Sequence, residues 1–379
     1  LKELSLTEKI LVTGGAGFIG SHTVDLLLKK GYDVRVFDAL LPPVHPQPLR
    51  PAYLPPEVEL VVGDVRDKEA FSKALKDISA VFHLAAYQDY LPDFSKFFNI
   101  NSVGTALLYE IIVEQKLPVR KIVFASSQAV YGEGHYLCPN HGNQYPPSRS
   151  LEQLMRREWE LKCPNCQQIM KPALSDENQV KPYNQYAISK YTQELIALNL
   201  GQRYAIPSVG MRYSITQGPR QSFSNAYSGI CRIFTTQMLS GRNPVAYEDG
   251  GQLRDYVYVG DVARANLLAL EQSEADYQVY NVGGGKAVTV LEYSKLVAGA
   301  LGLDLEAQVP GEFRFGDTRH IISDTKKLQR LGWQPQLSLP EIIREYIAWA
   351  VEQPALKDYY SQAEQFMKQI GTIRSTVTV

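Results

Sequence analysis

Apolar residues in this chain fall into short runs that stop at glycine or small polar residues. Residues 9–13, 33–37, 58–62, 80–84, 121–125 and 206–212 are such runs, and each reads as a buried strand. Over 21–30 and 98–115 the apolar positions recur instead at helical spacing. Strands alternating with helices predict a parallel sheet covered on both faces. Ligands of such sheets bind at the carboxyl ends of the strands. Residues 40–56 hold Pro42, Pro43, Pro46, Pro48, Pro51, Pro55 and Pro56 and read as loop. Residues 339–351 pattern as an amphipathic helix, and the chain past Gln369 reads as a loose tail.

The first strand runs into Gly14-Gly15-Ala16-Gly17-Phe18-Ile19-Gly20 and then a helix. Strand, glycine turn and helix are the context that a dinucleotide fingerprint requires. The glycines at 14, 17 and 20 let the backbone turn tightly and approach a pyrophosphate at the helix N-terminus. Asp38 closes the next strand about 20 residues on, where an acid bonds the ribose hydroxyls of NAD and repels the 2′-phosphate of NADP. A glycine-rich turn without ligand is the competing reading.

Tyr186 and Lys190 are four apart, on one face of a predicted helix. An ammonium near a phenol favours phenolate, which would make Tyr186 a usable base. Alone, this pair is weak evidence and reads as an ordinary helix surface; its weight comes from the motifs that precede it. A third feature is the pair Cys138-Pro139-Asn140-His141 and Cys163-Pro164-Asn165-Cys166. Two knuckles at this spacing match a closed Cys3His zinc site, structural rather than catalytic because no position stays open. Free cysteines or a disulfide would not account for both knuckles. Cys231, in an apolar stretch, reads as an inert core thiol.

Composition adds limits. The chain has 379 residues, 45% hydrophobic and 21% charged, with a net charge of -1. That is an ordinary globular balance with no electrostatic case for nucleic acid or an anionic membrane. No apolar run of ~18 residues suggests a membrane span, and residues 1–10 lack a signal-peptide core, so a cytoplasmic location is expected.

Taken in order, TGGAGFIG (13–20), GDVRD (63–67), HLAA (83–86), NSVGT (101–105), SSQAVYG (126–132) and YAISK (186–190) resemble the extended short-chain dehydrogenase/reductases. More narrowly they resemble the NAD-dependent nucleotide-sugar epimerases. The resemblance implies an α/β fold: a Rossmann-type doubly wound parallel sheet with a smaller C-terminal substrate domain. Residues 1–134 and 173–212 would form the NAD-binding domain. Residues 213–379 would be mainly substrate-binding, with segments returning to the sheet. Residues 135–172 are additional to the family's usual spacing between serine and tyrosine and would form a zinc-ribbon-like insertion.

Residue by residue, Gly14, Gly17, Phe18 and Ile19 would cradle the pyrophosphate and Asp38 the adenosine ribose. Asp64 and Val65 would flank adenine, while Leu84, Ala85, Ala86 and Asn101 would line the tightly bound cofactor. Ser127, Tyr186 and Lys190 match the catalytic set, the last two also contacting cofactor. Arg220, Asn225, Arg254 and Arg319 are the substrate candidates, arginine being suited to grip a diphosphate. For Arg254 a surface ion pair with Asp255 or Asp261 competes, and His320 alone reads as structural. Ile215, Gln217, Asp89 and Tyr90 depart from the pattern and would reshape the sugar pocket.

The resemblance implies transient oxidation at a sugar carbon, with Tyr186 as base and NAD as the hydride carrier. The insertion is similar to that of dTDP-L-rhamnose 4-epimerases and points to C4 of a 6-deoxyhexose. A 4-keto reductase remains open. Gln128 and Ala129, where dehydratases carry acids and decarboxylases a glutamate, weigh against both of those. An NAD-sensing scaffold would not need Ser127, Tyr186 and Lys190 together. Family members pair as homodimers through the helix that would carry Tyr186.

Overall fold

The computed structural model describes residues 8–223, 229–354, 356 and 360–376. In chain order, the first strands are β1 (Lys9–Thr13), β2 (Asp33–Asp38), β3 (Glu59–Val62), β4 (Ala80–His83) and β5 (Lys121–Ser127). There follow β6 (Tyr136–Cys138), β7 (Gly142–Gln144), β8 (Lys171–Pro172), β9 (Ser208–Tyr213) and β10 (Ile215–Gln217). The last are β11 (Leu253–Tyr258), β12 (Val279–Val282), β13 (Ala287–Thr289), β14 (Glu312–Arg314) and β15 (Ile373–Ser375).

Seven strands form one sheet in the order β12-β9-β5-β4-β1-β2-β3, every neighbouring pair parallel. Strands buried on both faces need continuous apolar runs, which is why β1 and β4 carry so few polar residues. The order reverses between β1 and β4, the switch point at which open α/β sheets bind ligand. One core packs the helix Phe18–Lys29 against Val259–Glu271, tied by Asn266 Nδ2 to Thr23 Oγ1 at 3.2 Å. A second core lies under the opposite face, around Phe71, Leu108 and Phe124. Inside the sheet's edge, Glu194 holds Arg212 at 2.8 and 2.7 Å, and Arg212 donates to the Tyr131 hydroxyl at 2.9 Å.

A smaller lobe gathers the three-stranded sheet β10-β11-β13 and the helices Ile230–Leu239, Val290–Leu301 and Leu339–Val351 around its own core. The 339–351 prediction matches the last of these to the residue. Ser338 and Glu341 form a capping box with Pro340 in the first turn, which fixes where that helix starts. Residues 135–172 build a separate three-stranded antiparallel sheet, β7-β6-β8, over a small core of Tyr136, Leu161 and Met170.

Two expectations change. The predicted helix 98–115 is not regular: Phe98–Val103 forms a π-helical turn before Gly104–Glu114. Nor are the described residues of the tail, 370–376, loose. β15 pairs antiparallel with β14, and Ile373 lies 3% exposed in the small-lobe core. A three-residue strand has too little pattern to be read before its partner is known. Ile373→Ala should therefore cost about 3 kcal/mol, as for a truncated core isoleucine. Urea unfolding checks this; an unpaired tail would leave the midpoint unchanged.

Candidate active site

The glycine turn is built to bring backbone close to a ligand. Gly14 takes φ +67°, and a Cβ there would lie 2.8 Å from the Ala85 backbone across the switch point. A Cβ on Gly20 would lie 2.1 Å from the Gly14 carbonyl oxygen. The helix Phe18–Lys29 starts without any side-chain cap, and its first turn lines a cleft. The cleft, about 330 Å³, is lined by Gly14, Gly17, Phe18, Ile19, Asp38, Asp64, Val65, Leu84, Ala85 and Ala86. Asp38 accepts the N–H of Ala16 at 3.0 Å and of Leu40 at 2.9 Å, which aims its carboxylate at the cleft floor. Each oxygen keeps a lone pair for a hydroxyl. An uncapped helix start over a side-chain-free cradle with an aimed carboxylate fits a dinucleotide.

Tyr186 and Lys190 close the far end of the cleft, on the helix Gln185–Arg203. Asn184 caps that helix by accepting the Ala187 N–H at 2.8 Å. Ser127 ends β5, accepts the Ala129 N–H at 3.1 Å, and faces the Tyr186 phenol. The electrostatics differ from those the spacing predicts. Burial pushes the Tyr186 phenol up to about 12, and the Ser127 hydroxyl is what pulls it back toward phenolate. Lys190 is 1% exposed, and burial brings its amine down to about 7. Its Nζ donates to Gln193 Oε1 at 2.7 Å rather than to Tyr186, because the two side chains leave the helix toward different neighbours.

A buried polar chain missed in the sequence stands behind Lys190. Gln193 Nε2 donates to Thr105 Oγ1 at 3.0 Å, which lies 3.1 Å from His83 Nε2. His83 Nδ1 lies 2.9 Å from Thr13 Oγ1. Burial, and then the Lys190 charge, pushes His83 down to about 3, so its ring stays neutral. His83 and Thr105 lie within the HLAA and NSVGT motifs, and their alternation of polar with apolar residues was the available signal. Asn101, expected to line the cofactor, instead turns inward from the π-helical turn. Its Oδ1 accepts the Tyr87 N–H at 2.8 Å, and its Nδ2 donates to the Tyr87 carbonyl at 3.0 Å and to Ser189 Oγ at 2.9 Å. It fixes the 87–90 segment against the tyrosine helix.

A second cavity, about 390 Å³, opens on the other side of Tyr186. Asp89, Tyr90, Asn184, Arg314, Phe315 and Asp317 are among its lining residues. The arginines expected there are elsewhere. Arg319 is 2% exposed, with its guanidinium held by Glu160, Glu248 and Asp249 at 2.5, 2.9 and 2.7 Å. Arg254 pairs with neither Asp255 nor Asp261; it donates to the carbonyls of Leu253, Arg319 and Thr318 at 3.0, 2.9 and 2.6 Å. Arg220 pairs with Asp25 at 2.7 Å and lies over the Tyr53 ring, clasping the proline loop beside the first cleft. Asn225 lies outside the described residues. The cation on the second cavity's wall is Arg314, which donates to the Tyr360 hydroxyl at 2.9 Å. Of the pattern departures, Ile215 packs in the small-lobe core and Gln217 is fully buried on Tyr293 at 2.6 Å, so only Asp89 and Tyr90 reach the cavity.

Away from both cavities, Cys138, His141, Cys163 and Cys166 present ligand atoms all within 4.8 Å of one another. Cys138 Sγ is 3.6 Å from both His141 Nδ1 and Cys166 Sγ, and Cys163 Sγ is 3.5 Å from His141 Nδ1. A tetrahedron with metal–ligand distances of about 2.0–2.3 Å has edges of roughly 3.3–3.8 Å. Backbone N–H groups of Asn165 and Cys166 point at the Cys163 sulfur. The set therefore suits a tetrahedral metal ion.

The relatives have the same architecture. The chain is 34% identical over 352 residues to the dTDP-L-rhamnose 4-epimerase of Burkholderia thailandensis, covering 91% of this chain and 96% of that one. The UDP-glucose 4-epimerase of Thermotoga maritima, solved with UDP-glucose, superimposes with a TM-score of 0.74 at 31% identity, covering 90% of this chain and 98% of that one. The enzyme of the same description from Thermus thermophilus, solved with NAD, gives 0.70 at 31% identity over 90% and 98%. The model of the NAD dependent epimerase/dehydratase family matches residues 10–152 and 164–283, leaving a gap inside the insertion. With the glycine cradle, Asp38 and the Ser127–Tyr186–Lys190 corner in place, the chain belongs to the NAD-dependent epimerase/dehydratase family.

Proposed function

We propose that the protein is an NAD-dependent 4-epimerase of a nucleotide-activated sugar. The observation that carries this reading is the position of Tyr186, the residue common to the linings of the cofactor cleft and the second cavity. A phenol between two sites can take a proton from a molecule in one while that molecule faces a carrier in the other. Gly14, Gly17, Phe18 and Ile19 would hold the pyrophosphate and Asp38 the adenosine ribose. Asp64 and Val65 would lie at the adenine, and Leu84, Ala85 and Ala86 along the cofactor. NAD, when bound, supplies hydride acceptance from the sugar carbon and hydride return to it.

The rest of the chemistry belongs to side chains. Tyr186 removes the proton of the reacting hydroxyl and later returns it. Ser127 has one O–H, which it donates to the phenolate as that develops or to the reacting oxygen when the proton returns. Lys190, anchored on Gln193, supplies a positive charge near the phenolate as it forms and bonds the nicotinamide ribose. The keto sugar turns within the second cavity between the two transfers. Arg314 is the residue suited to the diphosphate there. A dTDP-activated 6-deoxyhexose is supported by the Burkholderia relative, and by the insertion that resembles those enzymes. The four-ligand cluster would hold one structural zinc. Exposed Ile188 and Leu195, seven positions apart on the Tyr186 helix, support a homodimer through that helix.

Purified protein given dTDP-L-rhamnose, then a panel of UDP and GDP sugars, with no added cofactor should form the 4-epimer without net change in NAD, read by NMR. Tyr186→Phe should lose at least about 100-fold in kcat, the lower end for an acid–base group, while keeping its NAD. Conversion only with stoichiometric NADH or NADPH would mean a reductase instead. Metal analysis should find one zinc per chain, and Cys163→Ser should lose it together with stability; a zinc-free protein of unchanged melting temperature would dismiss the metal.

A further inference from the structure

The insertion meets the rest of the molecule through groups that this chemistry does not use. The segment 312–321 supplies Arg314, Phe315, Gly316 and Asp317 to the second cavity. The insertion grips that segment at both ends. At one end Trp159 packs on Phe313, ring centroids 6.0 Å apart, in a small apolar cluster with Leu154. At the other, the Glu160 carboxylate accepts Arg319 Nε at 3.0 Å and Nη2 at 2.5 Å, and faces His320 Nε2 at 3.1 Å. Between them Arg149 Nη2 donates to the Asp317 carbonyl at 2.8 Å. Arg149 also holds Glu248 through two bonds of 2.9 Å. Burial would raise Glu160, but His320 and Arg319 hold it at about 2, so it stays charged.

Trp159 and Glu160 in turn depend on the cysteine knuckles. Leu161 and Cys163, the next buried residues along the chain, sit in the small core with Tyr136, Cys138 and Met170. A core of that size cannot order a segment unaided, and a metal supplies what it lacks.

We infer that the metal-binding insertion is a positioning element for the substrate cavity. The ion fixes the 159–163 segment, and Trp159, Glu160 and Arg149 then fix the wall that carries Arg314 and Asp317. The inference rests on the nucleotide-sugar and zinc readings above. Glu160 and Arg149 are positioning residues, since neither lines the cavity. A wall that touches the substrate away from the reacting carbon contributes equally to ground and transition states. Its loss therefore raises KM and leaves kcat.

The test compares wild type, wild type stripped of metal by a chelator, Glu160→Ala, and Glu158→Ala as a control on a half-exposed glutamate of the same insertion that does not touch the 312–321 segment. KM and kcat are measured for the sugar nucleotide turned over, Kd for UDP and dTDP by calorimetry, and NAD and zinc content directly. Glu160→Ala should keep its zinc and NAD while KM and Kd rise by about tenfold to 100-fold, the scale of one lost hydrogen bond to a charged group, with kcat unchanged. Metal-stripped protein should show the same shift, and Glu158→Ala none. Unchanged KM and Kd in Glu160→Ala or in stripped protein would overturn the inference. So would a parallel fall in kcat, NAD content and affinity, which is the mark of a merely structural role. If Glu160→Ala does not fold, Glu160→Gln keeps the shape and removes the charge, and its Kd decides. Should wild type turn over no sugar nucleotide while Kd still shifts, the epimerase reading falls and the positioning role stands.

Discussion

The burial of Lys190 is the constraint from which the active site follows. An amine with almost no contact with water cannot stay near the tyrosine helix unless its donors are satisfied. Gln193 takes one at 2.7 Å, and Gln193 is itself held by Thr105, which faces His83, which faces Thr13. Lys190 and Gln193 share one helix, and Thr105, His83 and Thr13 come from three further elements, so the chain of bonds stitches β1 and β4 to two helices. A break would strand a buried donor or acceptor at about 1–3 kcal/mol. His83 stays neutral in this setting, which spares the site a second buried positive charge beside Lys190. The parallel pairing of Thr13 with His83 thus serves the helix as well as the sheet.

A second network, buried at Arg149, Arg319, Glu133 and Glu248 and open to solvent at Asp249, has a different task. Arg149 and Arg319 are matched against Glu133, Glu160, Glu248 and Asp249, a set drawn from the insertion, the loop after β5 and the small lobe. Buried ion pairs gain little net stability, because desolvation offsets most of the attraction. What they enforce is geometry, since breaking one leaves an uncompensated charge. In this protein the geometry enforced is that of a cavity wall, and the network stands between the knuckles and that wall.

The sequence made legible whatever depends on neighbours along the chain. The glycine turn, Asp38 at a strand end, the Tyr186–Lys190 spacing and the two knuckles are local patterns, and each lies where its pattern put it. Arg254 is held by backbone carbonyls and Arg319 by acids that no neighbouring position announces, because an arginine's partner is chosen by tertiary contact. Nothing near Arg319 in sequence announces Glu160 or Glu248. Arg314, five positions from Arg319, reaches the second cavity for the same reason. The π-helical turn at Phe98–Val103 escaped because apolar spacing barely distinguishes one extra residue in a turn. That extra residue turns Asn101 away from the cleft and onto Tyr87 and Ser189.

The cofactor cleft is covered in a way that favours a retained carrier. Tyr53 of the proline-rich stretch donates to the Ala16 carbonyl at 2.6 Å, tying that loop over the glycine turn. Ser222 donates to the Pro43 carbonyl at 2.9 Å, tying its other side to the small lobe. Arg220, paired with Asp25, lies over the Tyr53 ring and holds the clasp from below. A cofactor released after every turnover needs a mouth that opens each time, against these contacts. A carrier that gives back the hydride it takes does not. The tied loop at the first cleft and the separate second cavity therefore suit a reaction with no net redox change.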